Sequence, residues 1–191
     1  MVAAKQLWIL TGGNGAGKST FYHHYLAKRG LPFINADLIA KTIDPDAPEK
    51  LSYEAATIAG DIRADLIAQG VSFCFETVFS HPSKIDFIAT AKARGYMVIL
   101  VYIHLFDPSL NEARVHQRVL EGGHDVPADK IRTRIPRTLE NVKTALPLVD
   151  EAWILDNSSA SNRFLPIFIM KSGRCEIKTD SLTGWASYLL S

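Results

Sequence analysis

Cysteine is nearly missing from this 191-residue chain; the two that occur, Cys74 and Cys175, show no metal-ligand spacing. Both are expected as buried free thiols in a reducing compartment. Long apolar runs are missing too. The longest, "YMVILVYI", is far too short to cross a bilayer, and nothing at the N-terminus resembles a targeting segment. A cytoplasmic protein that meets no membrane is therefore expected. Charge of one sign is also scarce: the formal net charge is +1, which leaves no strong pull toward nucleic acid. Low-complexity tracts, internal repeats and long linkers are absent, so residues 1–191 are expected to form a single domain. Histidines 23, 24, 104 and 124 form no convincing metal pair. His124 could touch a ligand, but surface exposure is its simpler reading.

What the chain does contain is five short, continuous apolar runs: "QLWILTG", "LPFINAD", "VSFCFET", "YMVILVYIHL" and "EAWILDN". Continuity rather than alternation marks strands covered on both faces, as in a parallel sheet. Helical patterns separate them. One runs from Lys18 to near Gly30. A second covers about Pro48 to Gln69, with Leu51, Ala55, Ile58, Ile62 and Leu66 on its apolar face. A third runs from about Pro82 to Arg94, and a fourth opens at Pro108 with Asp107 as its cap. Strand alternating with helix predicts a doubly wound α/β sheet. After Asn157, residues 164–180 read as a β-hairpin turning at "KSGR" and extending the sheet, followed by a short closing helix.

Between the first strand and first helix stands "TGGNGAGKST", which fits G-x-x-x-x-G-K-[ST]. Gly12, Gly13, Asn14, Gly15, Ala16 and Gly17 let backbone N–H groups wrap a phosphate, and the following helix adds its positive end. Lys18 would reach the β- and γ-phosphates, Ser19 would ligate Mg²⁺, and Thr20 just beyond the motif is a further nucleotide-binding candidate. ATP or GTP with Mg²⁺ follows from the loop, but the reaction does not.

No N-K-x-D segment is present to read guanine, no LSGGQ-like signature marks a transporter ATPase, and no second helical subdomain fits an AAA-type motor. Small kinases remain. In that template Asp37 ends its strand where an acceptor meets the γ-phosphate and can take the acceptor's proton; alternatively it caps the next turn. Glu76 and Thr77 close a very apolar strand, on the acceptor side or near Mg²⁺; alternatively Glu76 is satisfied by backbone amides. Residues 118–147 are basic, punctuated by glycine and broken by Pro127, Pro136 and Pro147, as in an arginine-rich lid that closes over ATP. Among Arg118, Arg132, Arg134 and Arg137, Arg134 is favoured because it lies nearer the middle and cannot share a helix face with Arg132. Arg118 comes second, and a solvated basic face is the alternative.

Taken together, "GGNGAGKST", "NADLIA", "FCFETVFS" and "GGHDVPADKIRTRIPRTLEN" resemble the zeta-toxin-like P-loop kinases, over roughly residues 6–159. The resemblance implies a five-stranded parallel sheet of order 2-3-1-4-5 and ATP-dependent phosphorylation of a sugar hydroxyl of UDP-N-acetylglucosamine. It makes Lys18 the phosphate-binding lysine and Asp37 the base, puts Glu76 beside the acceptor, and places Asn157 and Ser158 near adenine. A small-molecule hydroxyl acceptor and an antitoxin protein are the partners it implies. This chain lacks much of the acceptor-binding insertion of the established toxins, so the acceptor stays open. A nucleotide-dependent regulatory module read by a protein partner is the second reading, and a nucleic-acid end kinase the third.

Overall fold

The computed structural model describes residues 4–123 and 125–191. Seven strands form one sheet: β1 (Gln6–Thr11), β2 (Phe33–Ile34), β3 (Phe73–Thr77), β4 (Met97–His104), β5 (Glu151–Asp156), β6 (Leu165–Lys171) and β7 (Arg174–Ile177). Their order is β2-β3-β1-β4-β5-β6-β7. The first five are parallel, in the expected 2-3-1-4-5 order, and the expected hairpin β6–β7 adds antiparallel strands at one edge. The helices are α1 (Lys18–Phe21, continued by wider and tighter turns to Arg29), α2 (Ala36–Ile43), α3 (Ser52–Gln69), α4 (Ser83–Ala93), α5 (Pro108–Leu120), α6 (Ala128–Ala145) and α7 (Gly184–Leu190). Among the described residues, none is long and apolar enough to cross a membrane.

Successive side chains of β1 enter opposite cores. Leu7 and Ile9 join Phe73, Phe75, Val98 and Leu100 under α3, α4, α6 and α7. Trp8 and Leu10 join Ile99, Val101, Phe21 and Leu26 on the α1 side. Burial on both faces is why the strands read as unbroken apolar runs. A small third cluster, Val115, Val126 and Ile131 with Ile135, lies between α5 and α6.

Four expectations need correction. The buried face of α3 is Ala55, Ala59 and Ile67, while Ile62 is exposed; alanines let the helix lie close on the sheet, which turns Ile62 outward. Cys175 sits on the edge hairpin and is exposed, whereas Cys74 is buried. Asp37 does not end a strand but sits in the first turn of α2, and its alternative reading as a cap falls to Asn35, which accepts from the Asp37 and Leu38 amides. Pro136 does not break the lid: α6 runs through it as an 18-residue helix. Proline removes one rung of the ladder, but Ile131 and Ile135 anchor the helix before it, and Thr138, Asn141 and Val142 anchor it after.

Candidate active site

Strand register builds the site. Leu10 pairs with Glu76 and Thr11 with Thr77, so the β3 carboxylate stands beside the start of the glycine-rich loop. Ile34 pairs with Phe75, bringing Asn35 and Asp37 to the same edge. His104 pairs with Asp156, delivering Asn157 from the other side. All of these lie beyond the carboxyl ends of parallel strands, where ligands of open α/β sheets bind.

The loop itself is tightly packed. A Cβ at Gly12, whose φ is 147°, would lie 2.2 Å from the Ile103 carbonyl oxygen. Asn111, 2% exposed, donates to the Asn14 carbonyl at 2.6 Å. Asn157, 5% exposed, donates to the Ala16 carbonyl at 2.8 Å and accepts from the Phe164 amide. Both ends of the Asn157 amide are thus occupied by backbone, so it shapes the loop rather than presenting a free group to adenine. Ser158 likewise accepts from the Phe106 amide. Asn111 had no sequence signal, because its partner is 97 residues away.

Lys18 is buried, and its ammonium donates to the Gly12 and Gly13 carbonyls at 3.0 and 3.1 Å. Burial lowers its pKa, opposed by the nearby Glu76 and Asp37 carboxylates. Glu76 is the hub of this end: it accepts from the Ser19 hydroxyl at 2.9 Å and the Asn35 amide at 3.1 Å, and stands 3.8 Å from Lys18. Side-chain groups, not backbone amides, therefore account for its burial. Ser19 and Glu76 place a hydroxyl and a carboxylate side by side, hard oxygen donors of the sort Mg²⁺ takes. Among the described residues no cluster of three or more His, Cys, Asp or Glu could hold a metal alone.

Thr77 accepts from the Phe79 amide, holding a buried Phe79 at a φ of 66°. The Val78 and Phe79 carbonyls accept in turn from Thr138 and Asn141 of α6. The latter half of the lid helix is thereby pinned to the end of β3, while its first half leans over the loop.

A cleft of about 1080 Å³ runs across these elements, lined by the loop, Asp37, Glu76, Thr77, Arg118 and Arg134. The structure separates the four candidate arginines. Arg134 faces the loop, its guanidinium 3.5 Å from the Asn14 side chain. Arg118 lines the same cleft and acts electrostatically on Lys18. Arg132 lies outside, paired with Glu112 of α5. Arg137 lines a separate shallow groove with Ser80, Pro82 and Glu140. Gly123 has a role beyond flexibility: a Cβ there would lie 2.5 Å from Arg118 Cγ and 2.8 Å from its carbonyl oxygen. The glycine lets the chain fold back onto Arg118. His124 lies outside the described residues.

Several cleft residues carried no clear sequence signal. Arg114, whose guanidinium donates to the Asn157 carbonyl at 2.9 Å, and Arg163 line the end of the cleft nearest β5. Arg63, His81 and Lys84 line the opposite end.

The zeta toxin family model matches residues 3–163. This chain belongs to the zeta toxin family. A Haemophilus influenzae protein, itself uncharacterised, is 32% identical over 137 residues, covering 68% of this chain and 97% of that protein. Among solved structures, AvrRxo1-ORF1:-ORF2 with ATP superposes with a TM-score of 0.75 at 16% identity. That match covers 93% of this chain but spans only 61% of the other. The PezAT toxin–antitoxin system of Streptococcus pneumoniae gives a TM-score of 0.65 at 14% identity, covering 98% and 84% of the two chains. At such identities these structures attest the fold. Family membership together with the glycine-rich loop makes this zeta toxin family member an ATP-dependent kinase.

Proposed function

We propose that this kinase transfers the γ-phosphoryl group of ATP to a hydroxyl of a small-molecule acceptor, with UDP-N-acetylglucosamine the first acceptor to test. One observation carries the reading: the Asp37 carboxylate and the cations Lys18, Arg118 and Arg134 line a single cleft. Asp37 is exposed to that cleft because Asn35 has taken over the capping of α2. The acceptor oxygen forms a bond to γ-phosphorus as the bond to the β–γ bridging oxygen breaks. Asp37 takes the hydroxyl proton, and ADP carries away the electron pair. Lys18, Arg118 and Arg134 stabilise the charge spread over the phosphoryl oxygens. Ser19 and Glu76 would hold Mg²⁺, which when bound would neutralise phosphate charge.

An antitoxin protein is the proposed macromolecular partner, supported by the likeness to the PezAT fold. The free thiols Cys74 and Cys175 support a reducing, cytoplasmic setting. The test is incubation of the purified chain with ATP, Mg²⁺ and UDP-N-acetylglucosamine, followed by mass analysis. A gain of one phosphate on the sugar is expected, and Asp37→Asn should cut the rate about 10³-fold while leaving ATP binding nearly intact. Undiminished transfer by that variant would remove Asp37 from the role of base.

A further inference from the structure

The end of the cleft away from β5 carries two cations without a counter-charge. Arg63 comes from α3, on the stripe of that helix that also brings Ser52 and Ala56 to the cleft. Lys84 comes from the first turn of α4, just after the loop that closes β3. Each lines the cleft, and each lowers the cost of holding the other only if a negative charge comes between them. Among the described residues no carboxylate stands within ion-pair distance of either. Arg63 is held by stacking: its guanidinium lies 5.0 Å from the Phe75 ring centre and 5.6 Å from that of Phe87. Its Nε is buried and donates to nothing. Lys84 has only a 3.4 Å contact with the neighbouring Ser83 hydroxyl. Burial lowers the pKa of both groups, and Arg63 lowers that of Lys84 further, so the two cations feel one another.

A structural guanidinium in a protein is normally satisfied by carboxylates or carbonyls, since an unpaired buried donor is costly. Two cations that line one cleft and feel one another, one of them stacked on aromatic rings, form an anion receptor arranged in advance. We infer that Arg63 and Lys84 bind an anionic group of the acceptor, a phosphate ester or a carboxylate, in the cleft that Asp37 also lines. The inference rests on the kinase reading for the word acceptor, but the anion site stands on its own geometry. It makes the acceptor a hydroxyl compound that carries its own negative charge, anchored there while its hydroxyl is presented to Asp37.

The test uses the full chain with the loop filled by Mg²⁺ and a non-hydrolysable ATP analogue, so that added anions cannot settle on Lys18. Calorimetric titration follows with inorganic phosphate, glucuronate, UDP-N-acetylglucosamine and neutral N-acetylglucosamine. At least one anionic probe should bind where the neutral sugar does not, and Lys84→Ala should weaken it at least about tenfold. Arg63→Lys, which keeps the charge but loses the fork, should weaken it less. Preference for phosphate over glucuronate identifies a phosphate ester, and the reverse a carboxylate. Absence of any anion binding, equal binding of the neutral sugar, or unchanged affinity in a folded Lys84→Ala variant overturns the site. Phosphoryl transfer is read separately. Transfer to an anionic acceptor with an unchanged KM in Lys84→Ala overturns the anion site and spares the kinase reading. Lys84-dependent binding with no transfer to any probe does the opposite.

Discussion

The two ends of the cleft are built differently. At the donor end nearly every polar group is already engaged within the protein: Asn111 on Asn14, Asn157 on Ala16, Ser19 and Asn35 on Glu76, Lys18 on the Gly12 and Gly13 carbonyls. At the acceptor end Arg63 and Lys84 have little or nothing to bind in the protein itself. Preorganisation explains the first. A loop that must hold a triphosphate in one pose gains from buried amides that fix it beforehand. The second end leaves its hydrogen-bonding capacity for the molecule that arrives. Rigid donor end and receptive acceptor end meet at Glu76 and Asp37, and substitutions at each should fail in different ways.

The largest effects are expected of the groups that the proposed function sets against the transferred phosphoryl. Lys18→Ala should lower kcat/KM by about 10³-fold or more and weaken ATP binding as well, because it removes charge felt before and during transfer. Arg134→Ala should cost about 10²-fold, mainly in kcat, since its guanidinium bears on the loop only from the lid. Steady-state kinetics over ATP concentration separate the two. If Arg134→Ala raised KM for ATP and left kcat untouched, the lid arginine would be a binding group only.

Next comes a test of the frame beneath the donor end. His104 ends β4, its carbonyl accepts from the Asn157 amide, its ring meets the Tyr102 hydroxyl at 2.8 Å and lies 4.3 Å from the Trp185 ring. Burial, opposed weakly by Asp156, depresses its pKa from 6.5 to about 4. The unfolded chain therefore takes up this proton first. Stability from this residue is complete above about pH 6.5 and is lost as pH falls toward about 4, by roughly 2–3 kcal/mol. Denaturant melts across that window should show the slope in the parent chain and a shallower one in His104→Gln. Equal slopes would assign the acid sensitivity to other groups.

How far the sequence discloses the molecule follows the same division. The donor loop is contiguous, so its residue types and spacing are legible without any fold. The sheet order is legible because strands buried on both faces must be continuously apolar. Glu76 can be placed as a strand end and the arginines on a basic segment, whereas Asp37, read as a strand end, lies in the first turn of α2. What stays hidden is whatever depends on packing between distant segments. Arg63 looks like one charged residue on a long helix until Phe75 and Phe87 are seen beneath it. Asn111 looks like a polar helix residue and Asn157 like a polar loop residue until the glycine-rich loop's carbonyls appear beside them. The four arginines differ only in the direction each helix gives them, and α6 was hard to foresee because its Pro136 suggests a break.

Asn157→Ala probes the donor end without touching the chemistry. It leaves the Ala16 carbonyl without its buried partner, which should cost about 1–3 kcal/mol of stability. ATP affinity should fall severalfold while kcat for bound ATP changes little, because the loop loses its rest position rather than its charges. A Tm series and nucleotide titration check both. A collapse in kcat at saturating ATP would show that the amide acts on the reacting groups themselves.

The smallest effect is expected at Arg132, and its smallness is informative. Arg132 and Arg134 are two residues apart on α6, equal in charge and similar in sequence surroundings. The helix turns one toward the loop and the other outward to Glu112, where it remains largely exposed. Water screens such a surface pair, so Arg132→Ala should change stability by less than about 1 kcal/mol and leave transfer within about twofold. Added salt should narrow the stability difference further, because screening weakens the pair in the parent chain. If Arg132→Ala instead slowed transfer as strongly as Arg134→Ala, the Glu112 contact would have to open during the reaction and the lid helix would have to roll about its own axis. Measuring the two variants side by side therefore tests whether α6 keeps one face to the nucleotide throughout the catalytic cycle.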